Sequence, residues 1–497
     1  MAAIPKRLLI ANRGEIAVRV ARTAREMGIE PVGVHAADDA DAFHLSRMAR
    51  SVDLGAGGIA ETYLSIPRLL EAAAVMGADA VHPGYGFLSE NADFARAING
   101  AGLLWIGPSP EAIDSMGDKL EARRRMREAG VPVVPGSDAG NGTDLLERGR
   151  DLGFPLLVKA SAGGGGKGMA RVDRLEDLAG AIEQTERVAA AAFGDGNVYL
   201  ERMFDRARHV EFQIFGDRSG SVVHLFEREC SVQRRHQKVL EESPSAALDP
   251  RLREAMGRAA VEAARAVGYV GAGTVEFLLD ERRNFYFLEM NTRLQVEHPI
   301  TEEVLGLDLV RSQIEIAAGA PLPADWRGGK LVPQGHAIEL RLYAEDPVEF
   351  LPRSGRIRVW EEPAGPGVRV DAGVGEGTRV GVEYDPLLAK LVVSGPDRGA
   401  AIDRARRALS EWVVLGVETN APLLARVLDS EEFRSGRYTT DLIARLPEAE
   451  DPGVPDAAWI AASSALASVA PSGRRLERAP AGAPDPWDAA SGWRAGA

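Results

Sequence analysis

Arg7-Leu8-Leu9-Ile10-Ala11, then Asn12-Arg13-Gly14-Glu15, then apolar positions at Ile16, Val20, Ala24 and Met27 read as a strand, a turn and a helix. A second short strand follows at Pro31-Val32-Gly33-Val34-His35. Strand, helix, strand in that order is a βαβ unit, which requires a parallel sheet covered on both faces. A helix near 66–76 and strands near 79–82 and 103–106 continue the pattern, so residues 1–117 are expected to form an open α/β domain.

The pattern changes after residue 117. From 118 to 330, helices alternate with hairpins, as at Gly216-Asp217-Arg218-Ser219-Gly220 between two β-rich runs, and the class becomes α+β. Residues 331–446 hold alternating strands such as Ile338-Glu339-Leu340-Arg341-Leu342-Tyr343, then a helix over 398–411. Residues 447–497 are rich in Ala, Pro, Gly and Ser and read as a tail or linker.

The chain has 497 residues, 45% hydrophobic and 27% charged, which excludes wholesale disorder and a fibrous chain. No apolar run reaches the roughly 18 residues of a membrane helix, so no membrane partner is expected. The net charge of −14 makes general nucleic-acid binding a poor expectation, and any anionic ligand must meet a local basic pocket. Only about five residues precede the first strand, too few for a signal peptide. A single cysteine, Cys230, excludes an internal disulfide and fits a reducing compartment, so a cytoplasmic location is expected. Of 59 basic residues only seven are lysines: Lys6, Lys119, Lys159, Lys167, Lys238, Lys330 and Lys390. A chain that uses arginine almost everywhere keeps lysine where a compact point charge matters, or by genomic accident.

Four stretches can carry chemistry. In Lys159-Ala160-Ser161-Ala162-Gly163-Gly164-Gly165-Gly166-Lys167-Gly168-Met169, a strand leads into five glycines within six residues. Without Cβ atoms the backbone can turn its N–H groups onto a phosphate chain; the bland alternative is a linker. No Ser or Thr follows Lys167, so this is not the GxxxxGK[ST] loop. The second stretch is a hairpin, Gly273–Leu279 and Phe285–Asn291. With its turn centred on Arg282 and Arg283, Glu276 falls opposite Glu289, and Asn291 projects beside Glu289. Two facing carboxylates destabilise each other unless neutralised, and with an amide oxygen they suit Mg²⁺ or Mn²⁺. A register one residue off would instead leave them on a solvated face.

In the third, Arg293-Leu294-Gln295-Val296-Glu297-His298-Pro299, an extended chain would put Arg293, Gln295 and Glu297 on one face. That set suits a small planar oxyanion that must lose a proton, or is a local ion pair in a polar loop. In the fourth, Gln233-Arg234-Arg235-His236-Gln237-Lys238, four basic-type residues within five positions form an anion trap or a solvated surface. Cys230, just upstream, reads as a structural thiol.

In this order these pieces resemble biotin carboxylase, a member of the ATP-grasp enzymes, over roughly residues 5–446. Ala11–Ala17, His82-Pro83-Gly84-Tyr85-Gly86-Phe87-Leu88-Ser89-Glu90-Asn91, Met116–Lys119, the glycine-rich loop, Gln233–Lys238 and Glu289–Pro299 carry the resemblance. It implies a Rossmann-like, pre-ATP-grasp N-terminal domain (1–117) and an ATP-grasp domain (118–330) whose mobile glycine-rich lid spans about 134–205. It also implies a mixed α/β biotin carboxylase C-terminal domain (331–446).

The implied ATP site comprises Lys119, Lys159, His209, Gln233, His236 and Leu278, with Gly163, Gly164, Gly165, Gly166, Lys167, Gly168 and Met169 on the lid. Glu201, Arg202 and Phe204 belong to the strand that presents backbone to adenine. Glu276, Glu289 and Asn291 would hold Mg²⁺ or Mn²⁺. Lys238, Arg293, Gln295 and Val296 would bind bicarbonate, and Tyr85 and Gly86 would border the biotin pocket. Glu297 would be the general base, and Arg341 would stabilise the enolate form of biotin; with Lys238 and Arg293 they make up the catalytic set. The implied reaction carboxylates N1′ of biotin through carboxyphosphate, as the first half-reaction of an acyl-CoA carboxylase.

Biotin is normally carried within Ala-Met-Lys-Met, and no Met-Lys dipeptide occurs here, so a separate carrier protein or domain is expected. A homodimer or larger complex and a carboxyltransferase subunit complete the expected partners. The stretch Pro486-Trp487-Asp488-Ala489-Ala490-Ser491-Gly492-Trp493-Arg494 is similar to a segment of acyl-CoA carboxylase α subunits. Competing readings are the biotin carboxylase part of a pyruvate carboxylase, another ATP-grasp carboxylate ligase, a non-catalytic nucleotide-binding subunit, and a dehydrogenase. The last lacks GxGxxG in the first turn.

Overall fold

In the computed structural model, residues 4–140, 142–161, 168–235, 237–447 and 460 are described. Gly163, Gly164, Gly165, Gly166, Lys167, His236 and the stretch Pro486–Arg494 lie outside the described residues.

The chain opens with β1 (Arg7–Ile10), α1 (Gly14–Glu26), β2 (Glu30–His35), β3 (Arg50–Asp53), α2 (Ile66–Met76), β4 (Ala80–His82), α3 (Ala92–Gly100), β5 (Leu104–Trp105) and α4 (Pro110–Gly117). The five strands form a parallel sheet in the order β3-β2-β1-β4-β5. Leu8, Leu9 and Ile10 are fully buried because helices cover both faces, so β1 reads as an unbroken apolar run. Helix α1 buries Ile16, Ala17, Val20, Ala21 and Ala24 along one stripe. The βαβ expectation therefore holds for these residues.

Next come α5 (Lys119–Glu128), α6 (Gly142–Leu152), β6 (Leu156–Ala160), β7 (Met169–Val172), α7 (Leu175–Phe193) and β8 (Val198–Arg202). Strands β7-β6-β8 form a small antiparallel sheet, and Leu145, Leu178 and Ile182 of the two longer helices pack on it with Leu156, Val158 and Leu200.

The rest of the chain is arranged around one large sheet. It comprises β9 (Ala207–Gly216), β10 (Val222–Arg234), β11 (Gln237–Ser243), α8 (Pro250–Arg265), β12 (Gly271–Asp280), β13 (Phe285–Asn291), α9 (His298–Leu305), α10 (Leu309–Ala317), α11 (Ala324–Arg327) and β14 (His336–Tyr343). Beyond these lie β15 (Gly355–Arg356), β16 (Val359–Glu361), β17 (Val368–Ala372), β18 (Arg379–Val380), β19 (Leu387–Gly395) and α12 (Arg398–Glu411). Eight strands pair antiparallel in the order β13-β12-β9-β10-β11-β14-β19-β17. Because β11 pairs with β14, the sheet runs without a break across residue 331. Among the described residues no helix is long and apolar enough to cross a membrane.

The β12–β13 hairpin places Glu276 opposite Glu289 as its sequence suggests, but by a different route. The turn is centred on Arg282: the Asp280 N–H donates to the Asn284 carbonyl at 2.9 Å, and Arg283 sits at φ +66°. Near the turn Leu279 pairs with Phe285 and Phe277 with Phe287; beyond it Glu276 pairs with Glu289, so Leu288 is an extra residue in a bulge. The bulge reverses the side-chain alternation. Phe285, Phe287 and Glu289 are all odd-numbered, yet both phenylalanines pack into the core with Val275, Phe277 and Leu279 while Glu289 lines the opposite face. A second revision concerns β14. All eight of its residues are buried, so its polar face of Glu339, Arg341 and Tyr343 is covered by protein.

Candidate active site

A cleft of about 940 Å³ lies between the turns of the parallel sheet, the small sheet and the polar face of the large one. Its volume is within the usual range of small-molecule sites. Of the expected site residues, Tyr85, Gly86, Lys119, Lys159, Met169, Glu201, Arg202, Phe204, His209, Gln233, Lys238, Leu278, Arg293, Gln295, Val296 and Arg341 line it, with Glu276, Glu289 and Asn291. Gly168, at φ +73°, accepts from the Ala160 N–H at 2.9 Å where β6 and β7 approach each other. Glu297 lies directly behind the lining, fully buried.

Two motifs of the N-terminal domain meet at one wall. The Asn12 side-chain amide donates to the carbonyls of Pro83 (2.7 Å) and Tyr85 (2.8 Å). Gly84 sits at φ +65°, and a Cβ there would approach the Asn12 amide to 2.9 Å, so glycine is required both by conformation and by space. This contact sets Tyr85 and Gly86 at the rim.

At the other end, Glu201 leaves β8 with its carboxylate buried between Lys159 Nζ (2.7 Å) and Arg123. Burial works against the Lys159 charge, but Glu201 outweighs it and the pKa is raised. Burial, then Lys159, lowers the pKa of Lys119, the first residue of α5. The N–H groups of Arg202 and Met203 donate to the carbonyls of Pro135 and Pro155, and Phe204 stacks on Tyr286 with centroids 5.1 Å apart, fixing this strand exit on the cleft edge.

The centre is a charge cluster. Lys238 Nζ donates to Glu211 Oε2 (2.6 Å), Glu276 Oε1 (2.8 Å) and Glu297 Oε1 (2.7 Å). Behind it Arg228, with no exposed surface, holds Glu211 Oε1 at 2.5 Å and donates to Gln213, Thr274 and Thr301. Glu276 also receives Asn291 Nδ2 (2.8 Å) and Gln295 Nε2 (3.0 Å), while His209 Nε2 stands 2.6 Å from its second oxygen. Gln233 reaches the other ring nitrogen of His209 at 2.6 Å. Burial opposes the His209 charge, yet Glu276 raises its pKa.

Glu297 is reached from both walls: Lys238 on one side and Arg341 Nη2 at 3.0 Å on the other, with Arg341 also paired to Glu241. Burial alone would raise the Glu297 pKa, but Lys238, Arg341 and Arg228 hold it well below the ordinary carboxylate value. Glu289 is different. Water reaches its side chain in the cleft, it makes no hydrogen bond or ion pair among the described residues, and the enclosing walls followed by Glu276 raise its pKa.

Two expectations are corrected here, and four residues are added. Residues 293–297 are not extended: the chain bends after Asn291, and Glu297 is the N-cap of α9, with Pro299 in the first turn. The set still converges, because Arg293 Nη1 donates to Gln295 Oε1 (2.9 Å) and its Nε to Glu90 Oε2 (2.8 Å). The basic run does not act as one patch, since Gln233–Lys238 spans the β10–β11 turn. Arg234 pairs with Glu345 away from the cleft, while Arg235 and Lys238 face it. Glu211, Arg228, Glu241 and Lys390 belong to the cluster and were not singled out as site residues. His209, Glu211 and Gln213 at alternate positions of an apolar strand were the available signal. Cys230 is buried 3.8 Å from Glu297 with its thiol pKa raised by burial.

Comparison with known proteins now adds the family. Family models match in order: "Biotin carboxylase, N-terminal domain" over residues 4–113, "Carbamoyl-phosphate synthase L chain, ATP binding domain" over 118–325 and "Biotin carboxylase C-terminal domain" over 339–445. The biotin carboxylase of Halalkalibacterium halodurans is 48% identical over 440 residues, 88% of this chain and 97% of that one. A pyruvate carboxylase subunit from Methanothermobacter thermautotrophicus is 47% identical over 440 residues, 88% of this chain and 89% of that one. The biotin carboxylase domain dimer of Hydrogenobacter thermophilus 2-oxoglutarate carboxylase, solved with MgADP, ADP and bicarbonate, superposes with a TM-score of 0.86 at 42% identity, covering 90% of this chain and 100% of that one. A cleft that gathers Lys119 and Lys159 at one end and a doubly held carboxylate at the other thus has its context: this chain belongs to the biotin carboxylase family and is an ATP-dependent ligase.

Proposed function

We propose that the cleft carboxylates biotin at N1′ on a separate carrier protein or domain, using ATP and bicarbonate and releasing ADP and phosphate. The observation that carries this reading is Glu297, a buried carboxylate held between cations from two different walls. Lys119, Lys159, His209, Gln233 and Leu278 face the space for ATP, with Glu201–Phe204 at the adenine edge, and the glycine-rich stretch from Gly163 to Met169 is assigned to the same site. His236 is assigned to the same site. Lys238, Arg293, Gln295 and the Val296 amide would take bicarbonate, and Tyr85 and Gly86 border the biotin pocket.

The donor set fits a divalent cation. Glu289 faces the cleft unpaired among the described residues, Glu276 lies opposite it, and the Asn291 amide oxygen, which accepts from Arg293 Nη2 at 3.0 Å, would complete a set of hard oxygen ligands suited to Mg²⁺ or Mn²⁺. When bound, the metal would neutralise charge on the transferring phosphate.

This chain's own residues do the rest. Bicarbonate that engages Lys238 and Arg293 draws positive charge away from Glu297. The proton affinity of Glu297 then rises as its substrate arrives, and it can accept the bicarbonate proton. The attacking oxygen is held by Arg293 and Gln295 at a fixed distance from the phosphate-side lysines, converting encounter into orientation. Carboxyphosphate then releases CO₂ and phosphate. Phosphate can take the N1′ proton, Arg341 stabilises the negative oxygen that forms on biotin, and N1′ then bonds to the CO₂ carbon, the charge passing to the new carboxylate.

The final acceptor is proposed to be an acyl-CoA, on the likeness of Pro486–Arg494 to acyl-CoA carboxylase α subunits. A pyruvate carboxylase is the second reading, favoured by the similarity to the Methanothermobacter protein. A homodimer or larger complex, a carboxyltransferase partner and a cytoplasmic location complete the proposal. It is tested by ADP release in Mg²⁺ and bicarbonate with and without millimolar free biotin. Stimulation by biotin that requires bicarbonate is expected; turnover indifferent to both overturns it. Transfer to acyl-CoA or to pyruvate by a matching carboxyltransferase decides the acceptor.

A further inference from the structure

The proposed reaction leaves one of the scarce lysines unused. Lys390, on β19, has no exposed surface. It lies directly across the sheet from Arg341, where two cations side by side repel. Burying an ammonium there is costly unless it is paired and hydrogen-bonded. Its partners come from two other parts of the molecule. Nζ stands 3.1 Å from Glu15 Oε1, in the first turn of α1, and donates to the Val296 carbonyl at 2.9 Å. The same Glu15 oxygen accepts the Tyr85 hydroxyl.

Each contact controls something the reaction needs. The Val296 carbonyl shares a planar peptide with the Glu297 N–H, so anchoring that oxygen fixes where the Glu297 backbone starts. Glu15 is buried, and burial raises its pKa while Lys390 opposes the rise. Held as an acceptor, it orients the Tyr85 hydroxyl and so the ring at the cleft rim. Lys390 is thus a three-way joint between the α1 turn, the base-bearing bend and the sheet that carries Arg341.

We propose that Lys390 is a positioning residue that couples the bicarbonate end of the site to the biotin end, holding Glu297 through the Val296 carbonyl and Tyr85 through Glu15. This inference rests on the function proposed above. In the Lys390→Met variant the KM values for bicarbonate and for free biotin should each rise about tenfold, the scale of one hydrogen bond from a charged group, with the ATP KM within about twofold of wild type. Glu15→Gln keeps Lys390 on the Val296 carbonyl, so it should raise the biotin KM and leave the bicarbonate KM within about twofold. A purely structural role would lower the active fraction, and hence kcat, without this split. Should Lys390→Met fail to fold because Glu15 is left unpaired, Glu15→Gln/Lys390→Met removes both charges and should show the same two raised KM values. Three unchanged KM values in a folded Lys390 variant, or an equal rise in all three, overturn the role. So does a Glu15→Gln enzyme whose two KM values move together. Wild-type enzyme assayed alongside separates the cases, because absence of biotin-stimulated turnover there contradicts the proposed function itself.

Discussion

Glu201 and Glu297 are both buried carboxylates held by two cations, yet their surroundings differ. Glu201 has Lys159 and Arg123, and Arg123 is also tied to the Val134 carbonyl at 2.9 Å, so the pair braces the strand exit against the neighbouring chain. Glu297 has Lys238 and Arg341, and both cations are shared with further carboxylates: Glu211 and Glu276 for one, Glu241 for the other. Private cations make a strut. Shared cations make a charge store that an arriving anion can redistribute, because losing one contact leaves others in place.

That contrast can be broken in four ways. The largest effect is expected at the strut. Glu201→Ala leaves Lys159 and Arg123 buried without their anion, and should lower unfolding stability by about 3–5 kcal/mol in denaturant melts. A loss under about 1 kcal/mol would remove the distinction. Next, Glu297→Ala and Arg341→Ala should each cut biotin-dependent turnover at least about 100-fold while ATP binding persists, a barrier of about 2.7 kcal/mol. Near-normal turnover would contradict the assigned role. Third, Glu289→Gln should raise the Mg²⁺ concentration for half-maximal activity by at least about tenfold, the scale reached even by residues behind the metal ligands. An unchanged requirement would place the metal elsewhere.

The smallest effect concerns Glu241. Burial pushes its carboxyl up to about 7, against the pull of Arg341. The folded chain then keeps a proton that the unfolded chain releases near the ordinary 4.5, so its contribution to stability falls as pH rises through that window and is flat above about 7. Glu241→Gln lacks this titration and should gain on wild type between pH 4.5 and 7 in thermal melts. A constant difference across that range would show that Glu241 is an ordinary fixed anion.

Sequence alone carried the local part of this picture. Strand β1 and helix α1 follow from periodicity, whereas the facing of Glu276 and Glu289 rests on a turn that the sequence centres half a residue too far along, an offset that the bulge at Leu288 makes up. The bulge at Leu288 is visible in the sequence only as a conflict, because Phe285, Phe287 and Glu289 share odd positions yet must face opposite sides. The cluster around Lys238 was legible in Lys238, Glu276 and Glu297 but not in Glu211 or Arg228. Its carboxylates come from β9, β12 and the N-cap of α9, and such partners are set by the packing of distant segments rather than by spacing. Nothing in the stretch around Arg341 reveals that Glu241 and Glu297 meet its side chain or that the whole strand is buried. Family resemblance supplied its role, and the geometry places it against Glu297.

The most direct test supplies ¹⁴C-bicarbonate, ATP, Mg²⁺ and free biotin to the wild-type chain and to Glu297→Gln. Acid-labile label on biotin should form with the wild type only when ATP is present, and should be lost at least about 100-fold in the variant. ATP consumption by the wild type with no label on biotin, or equal labelling by both enzymes, would contradict a site built around the doubly held carboxylate.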